Sequence, residues 1–439
     1  MTINEIETPS YVIDEKKLID NLKILESVEK RSGCHILLAQ KAFSAFSTYG
    51  LISRYISGTC ASGLYEAKLG YEEMGKENHV FSPAYKKEEM DELVKISDHI
   101  IFNSITQLKQ FSDKCVRNDI KIGLRINPEC STQEHGIYDP CGRFSRLGVT
   151  RRELDKATVV SDGEDHSDNV PGVSSDIPAL PEYVTGLHFH TLCEQNADAL
   201  ETTLKAVEEK FGDILSLPQI KWLNMGGGHH ITREDYDRDK LVELICRMRE
   251  KYNVDIIIEP GEAVALNAGY LITEIMDIVY NEIPILILDA SAACHMPDVL
   301  EMPYTPPLKG AKIADAAKLH MLKTGYGDLG TENEEFAAEK KAEERIDGKK
   351  DRNAGNHSEY VCRLSSRTCL AGDLIGDYAF DHMPVIGERL CFEDMAIYSM
   401  VKNNTFNGMP LPSIYIMHED GECEPVRRFS YNDFKERLS

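Results

Sequence analysis

Short apolar runs alternate with amphipathic stretches through the first 260 residues. Eight of the runs read as strands: His35–Gln40, Ile56–Ala61, His79–Ser82, His99–Asn103, Lys121–Asn127, Val184–His190, Ile220–Met225 and Val254–Glu259. Between most of them the apolar positions recur at helical spacing, as in Leu64–Met74, Lys86–Ile96, Ala197–Lys210 and Arg233–Lys251. Strands separated by helices predict a parallel sheet. Eight of them within about 225 residues predict an α/β fold with a (β/α)8 barrel rather than a doubly wound sheet.

After Gly261 the rhythm changes. Leu271–Tyr280, Pro284–Ala290, Tyr360–Leu364, Glu388–Glu393 and Ser413–Met417 read as strands with little helix between them, which predicts a second, mostly β domain. Two segments break the pattern. Ser161–Glu182 holds six acidic residues and no Lys or Arg, and reads as a solvated loop. Lys309–Glu359 is a charged, helix-prone insertion within the β domain.

Composition narrows the function classes. A 42 % hydrophobic content over 439 residues supplies a large core and excludes wholesale disorder. The net charge of −24 disfavours nucleic acid and anionic membranes as partners and favours cationic ones. Twelve scattered cysteines without a C-x-x-C pair argue against structural zinc and a redox dithiol. No basic-then-apolar leader and no apolar run of roughly 18 residues is present, which predicts a cytoplasmic protein.

The unusual residues fall where barrel strands end. Lys41 follows the first strand, His190 ends the sixth, Gly226-Gly-Gly follows the seventh and Glu259 ends the eighth. In a parallel barrel these ends form one active-site mouth. A lysine there is partly desolvated and suited to a Schiff base, or it snorkels to the rim. Consecutive glycines let backbone N–H groups approach a phosphate, or simply make a tight turn. Glu259 faces a heteroaromatic nitrogen or is a structural carboxylate, and His190 stacks on a planar cofactor or is a core histidine. Together the four point to pyridoxal 5′-phosphate, whose protonated ring withdraws electrons from a substrate Cα. The pair His188 and His190 also suits zinc, but no further strand-end His–Asp set completes a ligand shell, so no metal is predicted.

With these residues the chain resembles the fold-type III pyridoxal-phosphate decarboxylases, the group of ornithine and diaminopimelate decarboxylases. The carrying stretches are Leu38-Ala-Gln-Lys-Ala-Phe, Phe144-Ser-Arg-Leu-Gly, Gly186-Leu-His-Phe-His-Thr-Leu-Cys-Glu, Asn224-Met-Gly-Gly-Gly-His-His, Glu259-Pro-Gly-Glu-Ala, Thr368-Cys-Leu-Ala-Gly-Asp and Thr405-Phe-Asn-Gly. The run Cys294-His-Met-Pro-Asp-Val-Leu-Glu-Met-Pro-Tyr resembles the branch acting on carboxylated triamines. The resemblance implies an alanine-racemase-like barrel at 28–268, an N-terminal segment, 1–27, packed on the β domain, and a β domain at 269–439 with its insertion at about 309–359.

It also implies roles. Lys41 is the Schiff-base lysine and His190 stacks on the pyridine. Gly227, Gly228, the backbone around Gly261 and the Tyr398 hydroxyl hold the phosphate, and Glu259 pairs with the pyridine nitrogen. Cys369 and Asp373 enter from the other subunit of a homodimer, Cys369 as proton donor to Cα. Relatives carry arginine where this chain has Glu262. With Asp298 and Glu301 it adds anionic character suited to the ammoniums of carboxynorspermidine or carboxyspermidine. The reaction implied is decarboxylation to norspermidine or spermidine in polyamine biosynthesis, the alternative substrates being diaminopimelate or ornithine. A non-catalytic cofactor carrier needs neither the β domain nor Cys369. Three departures stand out: Leu364-Ser-Ser-Arg-Thr replaces the usual Gly-Gly-Pro-Thr, Gln40 sits where an apolar residue is usual, and the insertion Lys309–Glu359 is longer than the family's connection.

Overall fold

Residues 1–133, 136, 139–161, 180–314 and 359–439 are described by the computed structural model. Most of the acidic segment (162–179) and most of the charged insertion (315–358), with the loop and helix expected there, lie outside the described residues. Among the described residues, no helix is long and apolar enough to cross a membrane.

The chain opens with β1 (Ser10–Asp14). The barrel strands follow as β2 (His35–Ala39), β3 (Gly58–Ala61), β4 (Glu77–Phe81), β5 (His99–Phe102) and β6 (Lys121–Asn127), then, after the short β7 (Val149–Thr150), β8 (Val184–His188), β9 (Trp222–Asn224) and β10 (Asp255–Ile258). All neighbouring pairs are parallel, and the order β5-β4-β3-β2-β10-β9-β8-β6 closes through β5–β6. The eight strands read from the sequence are these eight.

Strand alternation sorts the side chains. Ile36 and Leu38, Ile100 and Phe102, Leu187 and Phe189, and Ile256 and Ile258 face the helices and join the main core. The alternate positions Leu37, Ile101, Trp222 and Ile257 pack against one another inside the barrel, with Cys60 and Phe81. The single tryptophan fills this interior because its neighbours have no side chain there: a Cβ on Gly123 or Gly186 would lie 2.3 or 2.0 Å from the Trp222 ring.

The β domain is a second nine-stranded sheet of β11 (Gly269–Asn281), β12 (Ile283–Leu288), β13 (Ala311–Ile313), β14 (Tyr360–Ser366), β15 (Leu374–Phe380), β16 (Arg389–Glu393), β17 (Ser413–Met417) and β18 (Cys423–Arg427), together with β1. The sequence pattern missed β15, whose Leu-Ile-Gly-Asp-Tyr run carries two residues poor in strand propensity. It also missed β13, which lies inside the segment read as insertion. β1 sits between β11 and β17, antiparallel to the first and parallel to the second.

From β1 the chain passes into the helix Glu15–Ser32. Asp14 caps it by accepting from Lys17 N–H, and Gly33 ends it at φ 67°. Its buried Leu18, Leu22 and Leu25 join the barrel core. Asn21 donates to the Val264 and Leu266 carbonyls just beyond the last barrel strand. The helix therefore ties the two domains together beside the barrel mouth.

Candidate active site

The inward alternation continues past the strand ends. Lys41 lies two residues after Ala39, His190 two after His188, and Glu259 two after Ile257, so all three emerge on the barrel interior side at the carboxyl end. The lysine's positive charge reaches His188, His190, Cys193 and Glu262. Lys41 is exposed, not the half-buried lysine that desolvation required. In this chain its surroundings are an open mouth.

Glu259 is buried and its Oε1 accepts from Asn224 Nδ2 at 2.6 Å. Its Oε2 lies 3.6 Å from His188 Nε2, beyond hydrogen-bond distance. Burial alone would raise the carboxyl, but His188 and the Asn224 amide overcome it and hold the group at about 2. A buried, ionised carboxylate with one oxygen so loosely held is suited to a protonated ring nitrogen. Both nitrogens of His188 are buried without a hydrogen-bond partner among the described residues.

His190 is half-buried, and burial with the nearby Lys41 charge pushes its imidazole well below the usual range. Its Nδ1 accepts the Gly227 N–H at 2.8 Å, leaving the ring neutral and fixed in orientation. This corrects the sequence expectation for Gly227, whose N–H serves the histidine instead of standing open to a phosphate. The glycines also answer to packing: a Cβ at Gly226 would sit 2.4 Å from the Phe189 carbonyl, and at Gly228 2.0 Å from that of Leu192. Gly226 and Gly228 further adopt φ of 69° and 80°.

Arg125 lies on the inward side of β6, two residues after Gly123, and went unnoticed in the sequence. It is buried, stacks 4.5 Å over the Phe81 ring and donates to the His190 carbonyl at 3.3 Å, while burial lowers it to about 10. The signal was available, since an arginine at an inward strand position is rarely a filler.

Loops close the mouth with carboxyl groups. Burial, with the charge of Glu194, a residue the sequence reading did not single out, pushes Glu262 up to about 8. Glu194 holds φ 52°, as Tyr398 holds 49°, both unusual for side chains of their size. Tyr398 feels Glu262, Asp298 and Glu194 and donates its N–H to the Ala42 carbonyl at 2.9 Å. Burial raises Asp394, which the Glu194 charge also reaches.

Three other expectations need correction or restatement. Asp298 and Glu301 are not free charges: Lys402 pairs with both, at 2.7 Å to Glu301, whose side chain stays 60 % exposed. Asp373 is buried and saturated, accepting from Ser291 Oγ and Ser366 Oγ at 2.6 Å each, from Thr368 Oγ1 at 2.5 Å and from Ala293 N–H at 3.1 Å. Although burial opposes it, these donors hold its carboxyl below the ordinary range. These four donors tie it into the β domain. Cys369 is exposed on the turn between β14 and β15, its N–H on Asn407 Oδ1 at 3.2 Å. The unusual Gln40 is buried and satisfied, bonding the Glu66 carbonyl and the Tyr49 hydroxyl.

A parallel barrel with a lysine, a neutral histidine and an ionised glutamate at its mouth, joined to a β domain, is the frame of a fold-type III decarboxylase. Comparison with known proteins gives the branch. The chain is 38 % identical to the carboxynorspermidine/carboxyspermidine decarboxylase of Campylobacter jejuni over the full length of both. It is 35 % identical to the carboxyaminopropylagmatine decarboxylase of Synechocystis, over 99 % of this chain and 96 % of that protein. The crystal structure of Campylobacter jejuni carboxynorspermidine decarboxylase with norspermidine superposes with a TM-score of 0.79 at 37 % identity, covering 98 % of this chain and all of the other. No protein-family model matches. The chain belongs to the carboxynorspermidine/carboxyspermidine decarboxylase family, and the protein is a decarboxylase of that type.

Proposed function

We propose that the protein binds pyridoxal 5′-phosphate at this mouth and decarboxylates carboxynorspermidine and carboxyspermidine, giving norspermidine or spermidine and carbon dioxide. The observation that carries the substrate class is the cluster of carboxyls Glu194, Glu262 and Asp394, whose Glu262 the Lys41 charge reaches. A long chain bearing secondary and terminal ammoniums gains charge-assisted hydrogen bonds there. A substrate with a distal carboxylate is repelled.

The residues fit the cofactor. Lys41 Nζ would be the amine that holds it covalently, Glu259 would favour a proton on its ring nitrogen, and His190, fixed by the Gly227 N–H, would stack on it. Gly228, the backbone at Gly261 and the Tyr398 hydroxyl are the groups left for the phosphate. The bound group supplies the electron sink that makes loss of the α-carboxylate possible. Arg125 and Asn224 orient His190 and Glu259. The exposed Cys369 thiol suits a homodimer in which one copy delivers it to the mouth of the other and protonates Cα there.

The test is carbon dioxide release from carboxynorspermidine, carboxyspermidine, diaminopimelate and ornithine, with the guanidinium-ended carboxyaminopropylagmatine alongside. A kcat/KM at least about 10²-fold higher for the carboxy-triamines than for diaminopimelate and ornithine is expected. Preference for diaminopimelate or ornithine overturns the assignment.

A further inference from the structure

We propose that Lys402 is a specificity-determining residue, an internal counter-ion that occupies the Asp298–Glu301 pair and so limits how much positive charge the site accepts from a bound amine. This rests on the reading of the substrate as a polyamine precursor.

Lys402 stands on the loop after Tyr398, and its ammonium bridges both carboxylates of the short helix Asp298–Glu301. The side chain of Asp298 is 13 % exposed, so its partner replaces water that the carboxylate has largely lost. The same ammonium lies 5.9 Å from the centre of the Tyr398 ring, and Tyr398 in turn feels Glu262 and Glu194. Lys402 therefore borders the wall that faces Lys41.

Charge counting gives the consequence. Asp298, Glu301 and Lys402 together carry a single net negative charge. Among the described residues, Glu194 and Asp394 form no ion pair and Glu262 has only His230 Nε2 at 3.9 Å, so these carboxyls remain for the ammoniums of a triamine chain. Removing Lys402 exposes a second negative charge on the 298–301 helix and makes room for one more ammonium. A bond that merely pinned this helix to the Tyr398 loop would not discriminate between amines by charge.

Calorimetric titration of the cofactor-loaded protein with norspermidine and with the tetra-amine spermine separates the two. In Lys402→Met the affinity ratio shifts toward spermine by about fivefold, and Lys402→Arg restores the original ratio. An unchanged ratio, or a parallel loss of both affinities, overturns the inference. Wild-type protein that binds neither amine and releases no carbon dioxide from carboxy-triamines overturns the proposed function instead. A protein that turns these substrates over without a shifted ratio loses only the role of Lys402.

Discussion

The two walls of the active-site mouth are built differently. On one side, Lys41, His190, Glu259 and Arg125 ride on or just beyond barrel strands, and their direction follows from a two-residue period anchored by Leu37, Gly186, Ile257 and Gly123. On the other, Glu194, Glu262, Asp298 and Lys402 stand on loops and single-turn helices. Their meaning depends on which charge meets which. A strand fixes where a side chain points, whereas a loop fixes only that it is near, so in the function proposed above the shared chemistry rests on the first wall and substrate choice on the second.

The sharpest way to break this division is Lys41→Ala. It should lower carbon dioxide release by about 10⁴-fold or more and abolish the visible absorbance of the bound cofactor. A variant that keeps both would remove the lysine from its assigned role. Next comes Asp373→Ala, which tests whether a carboxylate of the β domain braces structure or meets substrate. Four donors lose their acceptor, so unfolding stability should drop by ~3 kcal/mol in denaturant titration. A normal unfolding midpoint with a raised KM would return Asp373 to the substrate.

The smallest effect concerns the loop wall itself. Glu262 sits at about 8 in the fold, above its ordinary value near 4.5, so the native state holds an extra proton between these limits. Its contribution to stability is present below the lower value and is lost as pH rises through the upper one. Thermal unfolding between pH 6 and pH 8.5 should therefore fall less steeply in Glu262→Gln, with a difference of about 1–2 °C across the range. An identical slope would mean that the fold does not raise Glu262.

The barrel was legible because apolar and inward positions alternate regularly, and the same period located Lys41, His190 and Glu259. Nothing in it revealed hydrogen bonds spent inside the protein. The Gly227 N–H given to His190 and the four donors closed around Asp373 are local saturations that residue type does not announce. The pairing of Lys402 with Asp298 spans 104 positions, and no pattern of charge along the chain signals it. Glu194 was hidden differently: it ends a quoted motif, but only its left-handed backbone and its contact with Glu262 mark it out. Arg125 alone was recoverable, since it shares the parity of Gly123 and Asn127.

The placement of β1 has a consequence for how the protein is made. Ser10 pairs with Ile272 on one side and with Ser413 on the other. A ribosome that has released the first strand adds about 400 residues before its second neighbour emerges, roughly 20–80 s of synthesis at ~5–20 residues per second. The barrel can close during that interval, while the sheet that carries Cys369 waits for the last strands. Completion of the β domain is therefore a late event in the life of each chain, set by the arrival of its C-terminal strands.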